Sequence, residues 1–352
     1  KITKILSLAD AGYQMTVFAH LNGFTVREPG DWKNYGPADG LAGDNVNDGL
    51  IVDDALLLGT EAGLTVVDLE GSSPFGRATN WENFYKSDGL PAQEVLSLAS
   101  DGERVWVGTG SGVSGADLGI FEGEGDWEAV ASGSFEDLPV KTIGYVQNHL
   151  WLGTDQGLYL YDLESEELVG DDPVLDEMVL DLEVSGNDVL VATRGGITRV
   201  SLDETVEDVI DEGPVSSISA SGESIWYGTE TGFGNAATGE FYGEKKVTEV
   251  LATNSSVWAG TEGSSSGDSS NLTLYELGKG LVRYKSDTTG IFGADDDRFG
   301  DIDPALHTDK GVSFGADIGK SFQLGTRPLK FSTNFEYFQP TCTPIGRQER
   351  QD

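Results

Sequence analysis

Short runs in which apolar and polar residues alternate fill this chain, and glycine-rich breaks separate them every few residues. Alternation of this kind places successive side chains on opposite faces of a β-strand, and no stretch carries the 3.6-residue period of an amphipathic helix. Glu94-Val-Leu-Ser-Leu-Ala99 and Arg104-Val-Trp-Val-Gly-Thr109 read as two neighbouring strands. Gly157-Leu-Tyr-Leu-Tyr161 reads as a third kind of strand, and Asp31-Trp32-Lys-Asn-Tyr35 and Asn80-Trp81-Glu-Asn-Phe84 as a fourth, outermost kind.

These runs recur as one unit. Leu57-Leu-Gly-Thr60-Glu-Ala-Gly63-Leu64 returns as Trp106-Val-Gly-Thr109-Gly-Ser-Gly112-Val113 and as Trp151-Leu-Gly-Thr154-Asp-Gln-Gly157-Leu158. Weaker copies centre on Thr193, Thr229 and Thr261, while copies around His20 and Ala316 keep the glycine spacing without the threonine. A period of roughly 32 to 55 residues built from four short strands is the size of a propeller blade. The expected fold is therefore all-β, a single β-propeller with eight four-stranded blades favoured, and seven blades plus a C-terminal element as the alternative. Blade limits fall near 1–36, 37–86, 87–132, 133–170, 171–211, 212–245, 246–287 and 288–338, with a tail at 339–352. Leu329 to Phe338 is the candidate for the final outer strand. The glycine three residues after the threonine suits a hairpin needing positive φ, and the small residue before the threonine would let blades approach closely. The Trp or Leu three residues before it should pack between blades.

The pattern W-x-G-T-x-x-G-L, with Asp39-Gly40-Leu41 and Asp88-Gly89-Leu90 ahead of its two best copies and an outer-strand Trp after them, resembles the two-component-regulator propeller repeat. The two best copies run from Trp32 to Asp68 and from Trp81 to Asp117, and four further units up to about Tyr275 match in part. That resemblance implies a propeller of the kind found in sensor domains outside the membrane and in secreted interaction modules. The membrane span, kinase core and second propeller of the sensor kinases have no counterpart in the 352 residues.

Charge changes the picture of what such a propeller can meet. The chain carries 60 Asp and Glu against 22 Lys and Arg, a net charge of −38. Phosphate recognition runs on Lys and Arg and the counterions they displace, so nucleic acid is an unsuitable partner. Acids spread along the whole length resemble the proteins of salt-accumulating halophiles, where a Debye length of about 3 Å near 1 M salt screens their repulsion. Cys342 is the single cysteine, which excludes an intrachain disulfide. No run approaches the roughly 18 apolar residues of a membrane helix. Lys1 is not followed by a signal-like segment, as expected of a processed or trimmed product or of a protein without such a signal. Two glycosylation acceptor patterns, at Asn254 and Asn271, point towards export.

Candidate chemistry is sparse. The histidines His20, His149 and His307 lie in different units, and His20 occupies the threonine slot. Gly110-Ser-Gly-Val-Ser-Gly115 satisfies a dinucleotide-binding pattern but belongs to the repeat's hairpin, with no helix to follow. If the hairpins between second and third strands share one face, Glu61, Asp155, Glu230, Glu262 and Asp317 form an acidic ring there, interrupted by Arg194. The loop holding Asp295, Asp297, Asp301 and Asp303 has the oxygen density that calcium prefers, although Phe299 and Leu306 break the EF-hand spacing.

The sequence thus favours a non-catalytic binding or structural module, exported or surface-exposed, for a protein or glycan partner, with no cofactor beyond possible calcium. A metal-assisted lyase or hydrolase with carboxylates at the channel mouth is the alternative, and a repeating subunit of a surface assembly is a second. An extracellular or cell-surface location in a halophile is expected, with the cytoplasm left open. Residues 311–352 depart from the rest, since Lys320, Arg327, Lys330, Arg347 and Arg350 offset their acids, which makes the eighth unit the odd one.

Overall fold

A computed structural model describes residues 1–285, apart from the connecting stretches 11–12, 29–30, 71–73, 120–125, 131–137, 212, 244, 263–269 and 277–279. Within them the chain forms seven four-stranded antiparallel sheets in simple consecutive order, at 2–35, 46–84, 95–130, 140–168, 181–210, 215–243 and 247–285. Each sheet is one contiguous stretch of chain, numbered here as blades 1 to 7. The innermost strands are Ile2–Asp10, Val46–Val52, Val95–Ser100, Val140–Val146, Asp181–Ser185, Val215–Ser221 and Val247–Ala252. Each packs on the next, and the last packs on the first.

That closure corrects the blade number from eight to seven. Blade 7 lies directly on blade 1: Thr248 Oγ1 donates to the Ile2 carbonyl at 2.7 Å, and a Cβ on Gly260 would sit 2.6 Å from the Ile2 Cβ. The surface an eighth blade would need is occupied. A copy that kept only the glycine spacing was a weak witness in a chain with 48 glycines. The unit around Ala316 and the strand candidate from Leu329 to Phe338 lie outside the described residues.

The interior consists of seven apolar clusters, one at each junction between blades. The repeat's Trp or Leu supplies their bulk, as its spacing predicted. Trp106 of blade 3 stacks on Tyr145 of blade 4 with ring centroids 5.1 Å apart, and Trp151 and Trp258 are equally buried. At the junction of blades 7 and 1, Phe18 lies 5.5 Å from Trp32 and 5.2 Å from Trp258, with the Arg27 guanidinium 5.6 and 5.2 Å from the two indoles. Ring pairs of this kind add ~0.5–1.5 kcal/mol each beyond their buried area.

The threonine and glycine of the motif build the hairpin. Thr154 Oγ1 donates to the Gly157 carbonyl at 2.8 Å and accepts the Gln156 N–H at 3.1 Å, and Thr60, Thr109 and Thr229 repeat both bonds. Gly157 has φ +138°, and a Cβ there would lie 2.2 Å from the Leu175 carbonyl oxygen. Glycine is thus required both by conformation and by the close approach of the neighbouring segment.

Candidate functional site

The hairpins between second and third strands do lie together at one end of the ring, beside the connections that enter the next blade. Most of the acids expected there are engaged in holding that end together. Glu61 accepts the backbone N–H groups of Asp44 at 2.9 Å and Asn45 at 2.5 Å, fastening the connection from blade 1 to blade 2. Asp155 pairs with Lys141 at the start of its own blade. Lys246 lies 3.1 Å from Glu230 and 3.9 Å from Glu262, so one lysine joins the hairpins of blades 6 and 7. Arg194 is exposed on the blade 5 hairpin. Asp317, His307 and the calcium candidates Asp295, Asp297, Asp301 and Asp303 lie outside the described residues. Asn254 is exposed at the turn joining the first two strands of blade 7, with its Oδ1 accepting from Ser221 Oγ at 3.2 Å. Asn271 falls in the third strand of that blade, Ser270–Glu276.

The opposite end of the ring is acidic too. Asp53, Asp54, Asp101, Glu103, Glu164, Glu166, Asp203, Glu204 and Glu223 are all exposed there. Charge therefore does not single out the hairpin end.

His20 takes over one of the hairpin threonine's two hydrogen bonds. Its Nδ1 accepts the Asn22 N–H at 3.2 Å, as threonine Oγ1 does elsewhere, and its Nε2 lies 3.1 Å from Thr25 Oγ1, which in turn donates to Asn34 Oδ1 at 2.6 Å. With Nδ1 accepting, the neutral Nε2–H tautomer fits this chain. Burial lowers the pKa of His20 to about 4. His149 Nδ1 lies 2.9 Å from the Gln147 carbonyl.

The densest set of buried ionisable groups is elsewhere, around the central axis. In every blade one position of the inner strand pairs with the small residue before the threonine slot: Lys4 with Ala19, Asp48 with Gly59, Ser97 with Gly108 and Thr142 with Gly153. Asp181 with Ala192, Ser217 with Gly228 and Glu249 with Gly260 complete the ring. All seven are polar. The strand register shifts just before this position in six blades, and in five of them the residue at the shift, or the polar residue itself, reaches the next blade. Thr3 donates to the Val46 carbonyl at 2.5 Å, Asn47 to Val95 at 2.9 Å, Ser97 to Val140 at 3.1 Å and Ser216 to Val247 at 2.6 Å. The acceptors in the ring take backbone N–H groups of the following blade. Asp48 Oδ2 accepts from Leu98, Asp181 Oδ2 from Ile218 and Ser217 Oγ from Val250, at 2.8, 2.8 and 3.0 Å.

Lys4 is the cation of this ring. Its Nζ lies 3.6 Å from Asp48 Oδ1 of blade 2 and 3.7 Å from Glu249 Oε1 of blade 7, and its charge also acts on Asp181 and Glu183 of blade 5 across the axis. Burial opposes the Lys4 charge, but the combined field of Glu249, Asp48, Asp181 and Glu183 outweighs it and holds the pKa well above that of ordinary lysine. The carboxylates go the other way. Burial, only partly offset by Lys4, pushes Glu249 up to about 8 and Glu183 up to about 7, and raises Asp181 despite three hydrogen bonds. Glu249 also accepts from Ser217 Oγ at 3.2 Å. Among the described residues no three His, Cys, Asp or Glu are placed to hold a metal ion, so these acids converge on a lysine and not on a common ligand point.

Sequence reading passed over this ring, although it left a signal. At or just before the start of each inner strand stand an apolar residue, one intervening residue and then the polar one: Ile2-Thr-Lys4, Val46-Asn-Asp48, Val95-Leu-Ser97, Val140-Lys-Thr142, Val179-Leu-Asp181, Val215-Ser-Ser217 and Val247-Thr-Glu249.

Comparison with known proteins shows what the architecture shares. The fold is that of solved β-propellers. PorZ, an essential bacterial surface component of the type-IX secretion system of Porphyromonas gingivalis, superposes with a TM-score of 0.58 at 13% identity, covering 82% of this chain and 38% of PorZ. The computationally designed protein Ika8 gives 0.53 at 14% identity, covering 78% of this chain and 83% of Ika8. The extracellular domain of BT4673 from B. thetaiotaomicron gives 0.48 at 15% identity, covering 82% and 47%. No family model and no curated protein matches the chain. At these identities the likeness is one of fold. Among the described residues no helix is long and apolar enough to cross a membrane.

Proposed function

We propose that this propeller is a non-catalytic binding module, exported or surface-exposed, that presents its loops to another protein or to a glycan. The observation that carries this reading is the use made of the ionisable side chains at the hairpin end. Glu61, Asp155, Glu230 and Glu262 fix loops and hairpins to one another, and His20 stands in for a structural threonine. Such an end is a braced frame carrying exposed loops, the arrangement in which loop residues provide recognition. Surface exposure is proposed on the acidic, salt-tolerant composition and on the exposed acceptor at Asn254.

The test uses the full chain, immobilised, against a glycan array and a lysine-rich peptide at 0.15 and 2 M NaCl, with heparin as the polyanion control. Saturable binding that is lost when Gln156 and Arg194, exposed on the hairpins of blades 4 and 5, are replaced, with no change in melting temperature, supports the module. Release of cleaved or unsaturated sugar from any array glycan would establish the lyase or hydrolase alternative instead.

A further inference from the structure

We propose that the junction between blades 7 and 1 is a pH-gated joint, closed while the carboxylates around Lys4 hold protons and loosened as they ionise. Three observations place the device there. The first is how the ring closes. Among the described residues each blade is contiguous in sequence and no strand is exchanged across this junction, so there blade 1 is held to blade 7 by side-chain contacts.

The second is where Lys4 sits. At three other positions of the ring, Asp48, Asp181 and Ser217, the side chain accepts a backbone N–H of the following blade. Lys4 cannot accept, and it instead contacts Asp48 on one side and Glu249 on the other. The contact between Lys4 and Glu249 spans the junction itself, beside the Thr248 bond to Ile2.

The third is the charge imbalance. One lysine faces four carboxylates, Asp48 on blade 2, Asp181 and Glu183 on blade 5, and Glu249 on blade 7. Glu249 is only 7% exposed. Glu249 is withdrawn from water whereas Asp48 is 16% and Lys4 30% exposed, so ionising Glu249 beside the other carboxylates costs more than one part-exposed lysine returns, and the closed ring favours a proton on Glu249. The upward shifts of Glu249, Glu183 and Asp181 run in this direction. Opening the junction hydrates Glu249 and returns it towards the ordinary glutamate value, so the open form binds fewer protons. For an acid whose closed-state pKa is raised, stability is greatest at low pH and falls as pH climbs from the ordinary value of 4.5 towards the raised one near 8.

Hydrogen exchange of the full chain at pH 6 and pH 8, corrected for the intrinsic rate, reads the joint directly. The strands Ile2–Asp10 and Val247–Ala252 should lose at least ~10-fold more protection over this interval than Val95–Ser100 and Val140–Val146, since one linked proton changes an equilibrium about tenfold per pH unit. Glu249→Gln keeps the shape of the protonated acid and should erase that difference. If Glu249→Gln fails to fold, Glu183→Gln on the far side of the axis should shrink it. Equal loss across all the inner strands, or wild-type behaviour in both variants, would overturn the proposal.

Discussion

His20→Thr restores the residue that the repeat places in the hairpin slot of other blades, and its consequence can be worked out with its sign. His20 is 3% exposed, and burial lowers its pKa from 6.5 to about 4. The folded chain therefore keeps this imidazole neutral over a range in which the unfolded chain protonates it. For such a group the stabilising contribution is complete above pH 6.5 and is lost as pH falls from 6.5 to about 4. The interval is worth up to ~3 kcal/mol at ~1.4 kcal/mol per pH unit. Threonine does not titrate, so the variant lacks this term, while the surface carboxylates titrate alike in both proteins and cancel in the difference. The void left by the smaller side chain lowers stability by an amount that does not depend on pH. Denaturant unfolding at half-unit steps from pH 4 to 7.5 should thus show the wild type losing up to ~3 kcal/mol relative to His20→Thr on acidification. Proton NMR of the His20 ring should show no inflection between pH 5.5 and 8. A stability difference that stays flat within ~0.5 kcal/mol from pH 7 to 4, or a His20 inflection near 6.5, would refute the assignment of Nδ1 as the hairpin acceptor.

Four further outcomes are expected. Gly157→Ala combines a positive φ with a carbonyl oxygen 2.2 Å from the new Cβ and should cost ~2–4 kcal/mol, whereas Gly186→Ala, at φ +68° with open space around it, should cost only ~1 kcal/mol in the same thermal melts. Glu61→Gln leaves one of two loop N–H groups facing an amide NH2 and should cost ~1–2 kcal/mol by denaturant unfolding. Asp155→Asn breaks an exposed pair with Lys141 and should change stability by less than ~1 kcal/mol, with even less effect at 2 M NaCl. If the loop of Asp295, Asp297, Asp301 and Asp303 binds calcium, calorimetric titration of the full chain will lose a site in Asp295→Asn, Asp297→Asn and Asp301→Asn, and an unchanged stoichiometry in these variants would dispose of that reading.

The fold was legible because the hairpin imposes strict chemistry on a few positions. Thr154 and Gly157 are specified by two hydrogen bonds and a close carbonyl contact that few residue types satisfy, so the motif recurs in most blades while the strands around it differ. Blade number was less legible, because it depends on where the ring closes, and a glycine spacing says nothing about what packs on Ile2. The ring of polar residues at the axis escaped notice because Lys4, Asp48, Ser97, Thr142, Asp181, Ser217 and Glu249 share polarity and not identity. What makes Lys4 and Glu249 neighbours is the meeting of the first and last blades, a contact between positions 245 residues apart that no local pattern encodes.

The same geometry separates two uses of acid in one chain. At both ends of the ring exposed carboxylates are spread with little regard to which loop carries them, as Asp53, Glu103, Glu166 and Glu204 at one end and Asp155, Glu230 and Glu262 at the other illustrate. A partner-binding surface would concentrate charge on one end, since a field steers a ligand only where it differs from its surroundings. An even distribution instead keeps the whole surface hydrated and costs stability by self-repulsion, a cost that falls as salt shortens the Debye length. The axial acids are different in kind, because they are shielded by protein, opposed by a single lysine and hydrogen-bonded to a neighbouring blade. Raising the salt should therefore stabilise the chain through its surface while leaving the pH dependence of the junction between blades 7 and 1 largely intact. A junction response that vanished in 2 M NaCl along with the surface repulsion would mean that Glu249 is as hydrated as the surface acids, and the distinction would fail.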